Sequence, residues 1–376
     1  MTRETLELIA PDRKKHAAEL YDLIGKVFST GVAGYYGFRD LCRTNYIGHS
    51  HYDWAASRIG LLGGRIVTHY GVWGYDMRIG SATVRCGGIG AVATDADYRK
   101  RGLMAKTVVA SIEAMRTCGY DVSILFGITN FYDKFGYVRA WSRISDAIGI
   151  DRLTKERPRH RVLKVSDLTR EDIAAIYAHE HAGLTGTAVR PTYRAAGGAW
   201  KRWAGWRWVD KRGRTLGYVT GRPNDGTLEC YEAGGDPDEA MRVLAMLARR
   251  HVCREVKFVD VHENTPILRK MRRGDCTTTV NSRRNGGPMI RTIHLASSLE
   301  KMRGELSRRL KRSPLATWRG ALLVDDVREK VTLKIADGKV AVAAKPSKTK
   351  HVIRGGDAVA QLLIGTNEPA ETVEAA

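Results

Sequence analysis

Two short stretches carry the residue types from which chemistry can be built. The first is Tyr98-Arg99-Lys100-Arg101-Gly102-Leu103-Met104, where three cationic side chains and a glycine lead into an apolar run with helical spacing over residues 103–118. A helix start leaves backbone N–H groups unpaired, and the positive end of the helix dipole points outward with them. Such a terminus suits a phosphate, so the candidate ligand is a pyrophosphate-bearing cofactor. The second stretch is Asn130-Phe131-Tyr132-Asp133-Lys134-Phe135-Gly136-Tyr137, about thirty residues further on. Other chemistry finds less support. Six scattered cysteines include no C-x-x-C pair and read as reduced thiols, and His49 and His51 have no third ligand nearby, so no metal site is expected.

The elements that must position these stretches follow from composition and pattern. At 376 residues the chain is long enough for two or three domains, and 43% hydrophobic with 27% charged residues describes a soluble globular protein. No apolar run approaches the roughly 20 residues of a membrane span. Glu4 and Glu7 interrupt the place where a signal peptide would be apolar, so a cytoplasmic protein is expected. The net charge of +21 would attract nucleic acid, an anionic membrane or a polyanionic cofactor. Because the charge is spread along the chain, neither nucleic acid nor membrane is expected as the main partner.

Helices are expected over residues 14–29 and 35–46, the second after the breaker Gly31-Val32-Ala33-Gly34. Residues 57–62, 65–77 and 81–94 read as antiparallel strands joined by tight glycine turns, followed by the 103–118 helix and a strand over 121–127. Residues 151–161, with Arg152, Lys155, Arg157, Arg159 and Arg161 around Pro158, read as a linker. The same order then recurs: a helix over 167–182, strands near 207–209, 216–221 and 227–233, a helix over 237–251 and a strand over 255–261, which points to an internal duplication. The second copy places Asp236, Asp238 and Glu239 where the first has its basic loop, charges that would repel a pyrophosphate. Trp200, Trp203, Trp206 and Trp208, interleaved with Lys201, Arg202 and Arg207, suit either a stacking platform or a packed junction, and the duplicated pattern favours packing. A third segment contains a helix over 299–310, a strand over 318–324, a strand pair over 331–336 and 340–344, and a helix over 356–363. The expected domains are 1–150, 151–286 and 287–376, an α/β (α+β) chain with mixed sheets flanked by helices.

The basic loop and the Tyr-x-x-Phe-Gly-Tyr stretch in combination resemble the GNAT superfamily of N-acetyltransferases, with Met104 at the last loop position where the family has Gly or Ala. The whole chain is more narrowly similar to the Eis-like (enhanced intracellular survival) branch, in which a catalytic GNAT domain precedes a second GNAT-like domain without the loop and a sterol-carrier-protein-like domain. The resemblance implies acetyl-CoA as donor and a primary amine as acceptor, of the aminoglycoside, polyamine or lysine type. It implies that Ala91, Val92 and Ala93 pair with the pantetheine arm, that Arg99, Lys100, Arg101, Gly102, Leu103 and Met104 hold the pyrophosphate, and that Tyr132 is the general acid toward the departing thiolate. Backbone donors near Val92 or Ala93 would face the oxyanion. It also implies a homo-oligomer, a hexamer in Eis-like relatives. Those relatives use a C-terminal carboxylate as base, but this sequence ends at Glu371-Thr372-Val373-Glu374-Ala375-Ala376, short for the family, so the base is unassigned. Two other readings stay open: a tRNA-dependent aminoacyltransferase, which shares tandem GNAT-like domains, and a CoA-binding scaffold without turnover.

Overall fold

The computed structural model describes residues 5–165, 171–190, 205–283, 285–343 and 345–365. They fall into two compact units, one joining the chain up to Trp141 to the part from Arg283, the other running from Ser142 to Ser282.

The first unit is built on Glu7–Ile9 (β1), Arg58–Leu62 (β2), Arg65–Ile79 (β3), Ala82–Thr94 (β4), Val122–Gly127 (β5) and Val138–Arg139 (β6). β1 to β4 are antiparallel neighbours. The turn between β2 and β3 uses Gly63 and Gly64, and that between β3 and β4 uses Gly80, all three at positive φ where a side chain would be strained. One face of the sheet is covered by helices Ala17–Phe28 (α1) and Gly31–Leu41 (α2), with Leu20, Leu23 and Ile24 packing on Ile59, Ile66, Ala91 and Ala93. The other is covered by helix Leu103–Thr117 (α3), whose Val108, Ile112 and Met115 meet Tyr70, Val72 and Leu125. α2 departs from expectation: it starts at the glycine itself and passes into a π-type turn over Cys42–Tyr46. Glycine permits helix as well as breaks it. The helix buries none of its own residues, and its place is set by Tyr35 donating to Asp22 of α1 and by Phe38 stacking on Phe28.

The second unit comprises Arg143–Gly149 (β7), Arg161–Val165 (β8), Gly205–Val209 (β9), Thr215–Asn224 (β10), Thr227–Gly235 (β11), Glu255–Val259 (β12) and Thr277–Asn281 (β13), in the order β13-β7-β12-β11-β10-β9-β8. Helices Glu171–Glu180 (α4), Pro237–Arg250 (α5) and Pro266–Arg272 (α6) flank it. β11 and β12 are parallel and joined through α5, as β4 and β5 are parallel and joined through α3. The duplication read from the sequence is therefore present as a repeated strand order. Asp236 caps α5, its carboxylate accepting from the Glu239 N–H at 2.8 Å. Trp206 and Trp208 are buried in this unit's core, while Trp200, Trp203, Lys201 and Arg202 lie outside the described residues.

From Gly287 the chain returns to the first sheet. Gly287–Thr292 (β14) inserts between β5 and β6, giving the order β1-β2-β3-β4-β5-β14-β6. Thus residues 143–149, read with the first part, pair in the second sheet, and residues 287–292, read with the third, pair in the first. The second exchange has no local signature, since β14 contains Pro288 and its burial does not alternate. Helix Leu295–Lys311 (α7), strands Gly320–Asp325 (β15), Lys330–Ala336 (β16), Lys339–Val342 (β17) and Val352–Arg354 (β18), and helix Gly356–Ile364 (α8) complete the chain, with sheet order β17-β16-β15-β18. Leu295, Leu299, Met302, Leu333 and Leu363 share one core with Met77, Ile79, Val84 and Cys86 of β3 and β4.

Candidate functional site

β4 and β5 are paired only through Cys86–Val122, Gly87–Ser123 and Gly88–Ile124. Beyond Gly88, β4 stays with β3 on one side while β5 stays with β14 on the other, up to Gly127. Part of the cause is a bulge: Gly90 faces Gly71 and Ala93 faces His69, so Ala91 and Val92 together oppose Tyr70. Ala91 takes φ +46, the left-handed region that an alanine adopts only under constraint. A wedge opens between the two parallel strands, and residues 89–94 line it with backbone that has no β5 partner.

The bulge is pinned by a residue that sequence reasoning passed over. His69 is fully buried, with Nδ1 at 2.8 Å from the Ala91 carbonyl and Nε2 at 2.8 Å from the Tyr52 hydroxyl. Burial pushes its pKa down to about 4, against a smaller raising effect of the Ala91 carbonyl. A neutral imidazole donating to the carbonyl must accept from Tyr52, so both nitrogens are committed. A histidine inside the apolar run Ile66-Val67-Thr68-His69-Tyr70 was the available signal.

The loop ahead of α3 is shaped by Asp95, whose carboxylate accepts from the Asp97 N–H at 3.1 Å and from Arg65 at 2.8 Å. Lys100 and Gly102 both take positive φ, +60 and +71. Gly102 is the N-cap and supplies no side-chain cap, leaving the first-turn N–H groups of α3 open to an external acceptor. Arg99, Lys100 and Arg101 are exposed; Arg99 donates to the Thr94 carbonyl at 3.3 Å, and Arg101 lies over the Tyr98 ring. Leu103 and Met104 are half-buried. Val92 and Met104 pack against the same cluster as Tyr132, whereas Ala91 and Ala93 are buried on the α1 face.

Tyr132 opens a single 3₁₀ turn, Tyr132–Phe135, closed by Gly136 at φ +74. Its ring lies against Gly127 of β5, where a Cβ would come within 2.6 Å of it, and edge-on to Phe131 and Tyr137. Burial pushes the phenol up to about 12, with Tyr137 adding to it. The two buried phenols of the motif differ in engagement. The Tyr137 hydroxyl meets Tyr70 at 3.1 Å and Ser123 at 2.8 Å, and Ser123 donates to the Gly87 carbonyl. The Tyr132 hydroxyl has no hydrogen-bond partner among the described residues.

Residues 14–140 match the family described as the acetyltransferase (GNAT) domain. This segment is similar to a GNAT acetyltransferase domain. It contains the bulged strand, the loop, the N-terminus of α3 and Tyr132, and the chain is accordingly an acetyltransferase. Solved structures share the fold along nearly the whole length. A GCN5-related N-acetyltransferase from Kribbella flavida is 19% identical with a TM-score of 0.71, covering 99% of this chain and 91% of that one. One from Anabaena variabilis is 15% identical at TM-score 0.69, covering 95% and 89%. Eis1 from Mycobacterium abscessus is 13% identical at TM-score 0.66, covering 99% and 92%. No curated protein matches the sequence. The repeated strand order of the second unit gives the chain a tandem GNAT architecture of mixed sheets flanked by helices. No helix among the described residues is long and apolar enough to cross a membrane.

Beside the wedge the α1 face carries an aromatic group. A Cβ on Gly90 would lie 2.5 Å from the Tyr46 hydroxyl and 2.9 Å from the Trp73 ring, so both rings press on the backbone just before the bulge. Trp73 donates from Nε1 to the Tyr46 carbonyl at 2.8 Å and is edge-on to Tyr52. Among the described residues, no three His, Cys, Asp or Glu side chains form a group that could hold a metal ion.

Proposed function

We propose that the chain is an acetyl-CoA-dependent N-acetyltransferase acting on a primary amine, with its single donor site in the β4–β5 wedge. The observation that carries this reading is the unpaired β4 backbone and open N-terminus of α3 on one strand-loop-helix unit, with Tyr132 packed in the same cluster as Val92 and Met104. The residues fit the donor. Residues 91–93 offer an edge to the amides of a pantetheine arm, Gly102 keeps the helix start open, and Arg99, Lys100 and Arg101 supply charge for a pyrophosphate. Acetyl-CoA supplies an activated acyl group and a thiolate leaving group.

Because a trans peptide sets its C=O and N–H in opposite directions, an Ala91 carbonyl held by His69 turns the Val92 N–H away from His69. That N–H is our candidate donor to the developing oxyanion. A phenol near 12 stays protonated throughout the working range, so Tyr132 faces the departing thiolate as a hydrogen-bond donor; full proton transfer to a thiolate of pKa about 8.5 would be uphill. The aromatic faces of Tyr46 and Trp73 suit a cationic amine. The base that takes the amine proton is unassigned, and the C-terminal residues Glu371 to Ala376 lie outside the described residues. We further place the chain in the Eis-like branch, with 287–376 as its sterol-carrier-like part and a homo-oligomeric assembly.

The test is release of free thiol from acetyl-CoA against a panel of aminoglycosides, polyamines and lysine-containing peptides. Tyr132→Phe is expected to lower kcat about a hundredfold with little change in KM for acetyl-CoA. A variant as active as the parent removes Tyr132 from the mechanism, and no turnover with any amine overturns the amine reading.

A further inference from the structure

The basic stretch around Pro158, which acyl transfer leaves unused, contributes to a cavity of about 450 Å³ wholly within the second unit. Its polar wall comes from three places: Arg157 and His160 precede β8, Lys164 lies on β8, and Arg250 ends α5. Its floor is apolar. Lys164 sits directly opposite Trp206 across the β8–β9 pair, and the two-residue period puts Val162 on the same face; Met246 and Leu247 close it from α5.

Several arginines of this unit are paired elsewhere, among them Arg143 with Asp260, Arg190 with Glu232, Arg242 with Glu156 and Arg272 with Asp146. At the cavity three cations converge without such partners. Arg157, Lys164 and Arg250 have no ion pair or hydrogen bond with any described residue, and no acidic side chain is among the lining residues. Beside the wall, Glu239 accepts from the Arg159 and His160 N–H groups at 2.7 and 3.0 Å and lies 3.2 Å from His160 Nδ1. Three like charges around one concavity repel until an anion compensates them. Guanidinium forks match phosphate oxygens, and the volume lies in the range of small-molecule sites.

We propose that this cavity binds a small organic phosphate, its phosphate held by Arg157, Lys164 and Arg250 and its apolar body lying on Trp206 and Met246. The site is independent of the acetyl-transfer reading, since the first unit contributes nothing to it. The test is titration of the full chain with 4-methylumbelliferyl phosphate followed by fluorescence anisotropy, with 4-methylumbelliferone and inorganic phosphate in separate arms. The ester should bind at least tenfold tighter than either part. Arg157→Gln combined with Arg250→Gln should weaken it at least tenfold, Lys164→Gln alone should weaken it in the same direction, and Arg101→Gln in the loop before α3 should leave it within twofold. Unchanged melting temperatures show that the variants fold. Equal affinity for ester and umbelliferone, equal affinity for ester and free phosphate, or sensitivity to Arg101→Gln in place of Lys164→Gln would each overturn the proposal.

Discussion

At the scale of single residues, His69 shows how a side chain that touches no reactant can set a reactive geometry. Its imidazole holds the Ala91 carbonyl, Ala91 carries the strained φ, and the bulge opens the wedge. We expect His69→Gln to lower kcat about tenfold, with Tyr52→Phe producing a smaller fall because one of the two anchoring bonds survives. The same histidine makes a pH prediction. Its folded pKa of about 4 lies below the 6.5 of the unfolded chain, so the unfolded state binds more protons between those values. Stability tied to His69 is present above pH 6.5 and is lost as pH falls toward 4, by about 3 kcal/mol at 1.36 kcal/mol per pH unit. Denaturant titrations across that window should show His69→Gln with a shallower acid decline than the parent; parallel curves would remove His69 as the cause.

At the scale of elements, the proposed donor binding rests on the turn from β4 into α3. Two residues, Lys100 and Gly102, take left-handed backbone there so that the first-turn N–H groups face outward. A Cβ on Gly102 meets nothing within 4 Å, so substitution is opposed by conformation alone. Gly102→Ala should cost about 1 kcal/mol of stability and raise KM for acetyl-CoA severalfold. Gly102→Asn should do less, because asparagine tolerates that region. Melting temperature and initial-rate kinetics measure the two effects, and an unchanged KM in Gly102→Ala would separate the loop from donor binding. This element was legible in the sequence to within a residue, from the basic glycine loop and the apolar period of residues 103–118. The bulge beside it was not, since Ala91-Val92 looks like any other strand interior.

Across the first unit, the C-terminal part is tied to the first sheet through a buried carboxylate. Glu305 of α7 accepts from the Ser81 N–H and hydroxyl at 3.1 and 2.8 Å in the β3–β4 turn, and from Arg308 and Arg309. Burial raises its pKa, but Arg308, Ser81 and Arg309 together outweigh burial and bring it down to about 2. Folded below its unfolded value of 4.5, it contributes stability above pH 4.5 that is lost as pH falls toward 2. Glu305→Gln should destabilise the chain by about 3 kcal/mol near neutral pH by leaving buried donors poorly paired, and should flatten the acid limb in that window. Thermal melting against pH measures both, and coincident curves would show the tie to be idle. Asp121 makes a second link, taking Lys301 at 2.5 Å and Ser297 at 2.6 Å.

The sequence alone determined what is written locally: the glycine turns, the helix spacings, the basic loop at a helix start, the Tyr132 stretch, the repeated order of elements and the acids that replace the loop in the second copy. Each rests on neighbours a few residues apart, where propensity and period act directly. Tertiary structure alone decided the insertion of β14 beside β5, the placement of β7 in the second sheet and the pinning of Ala91 by His69. It also decided which of two neighbouring tyrosines keeps a free hydroxyl, and the gathering of Arg157, Lys164 and Arg250 around one cavity. Those outcomes depend on strand register and on partners far apart in the chain, and a one-residue bulge is enough to exchange which side chains meet.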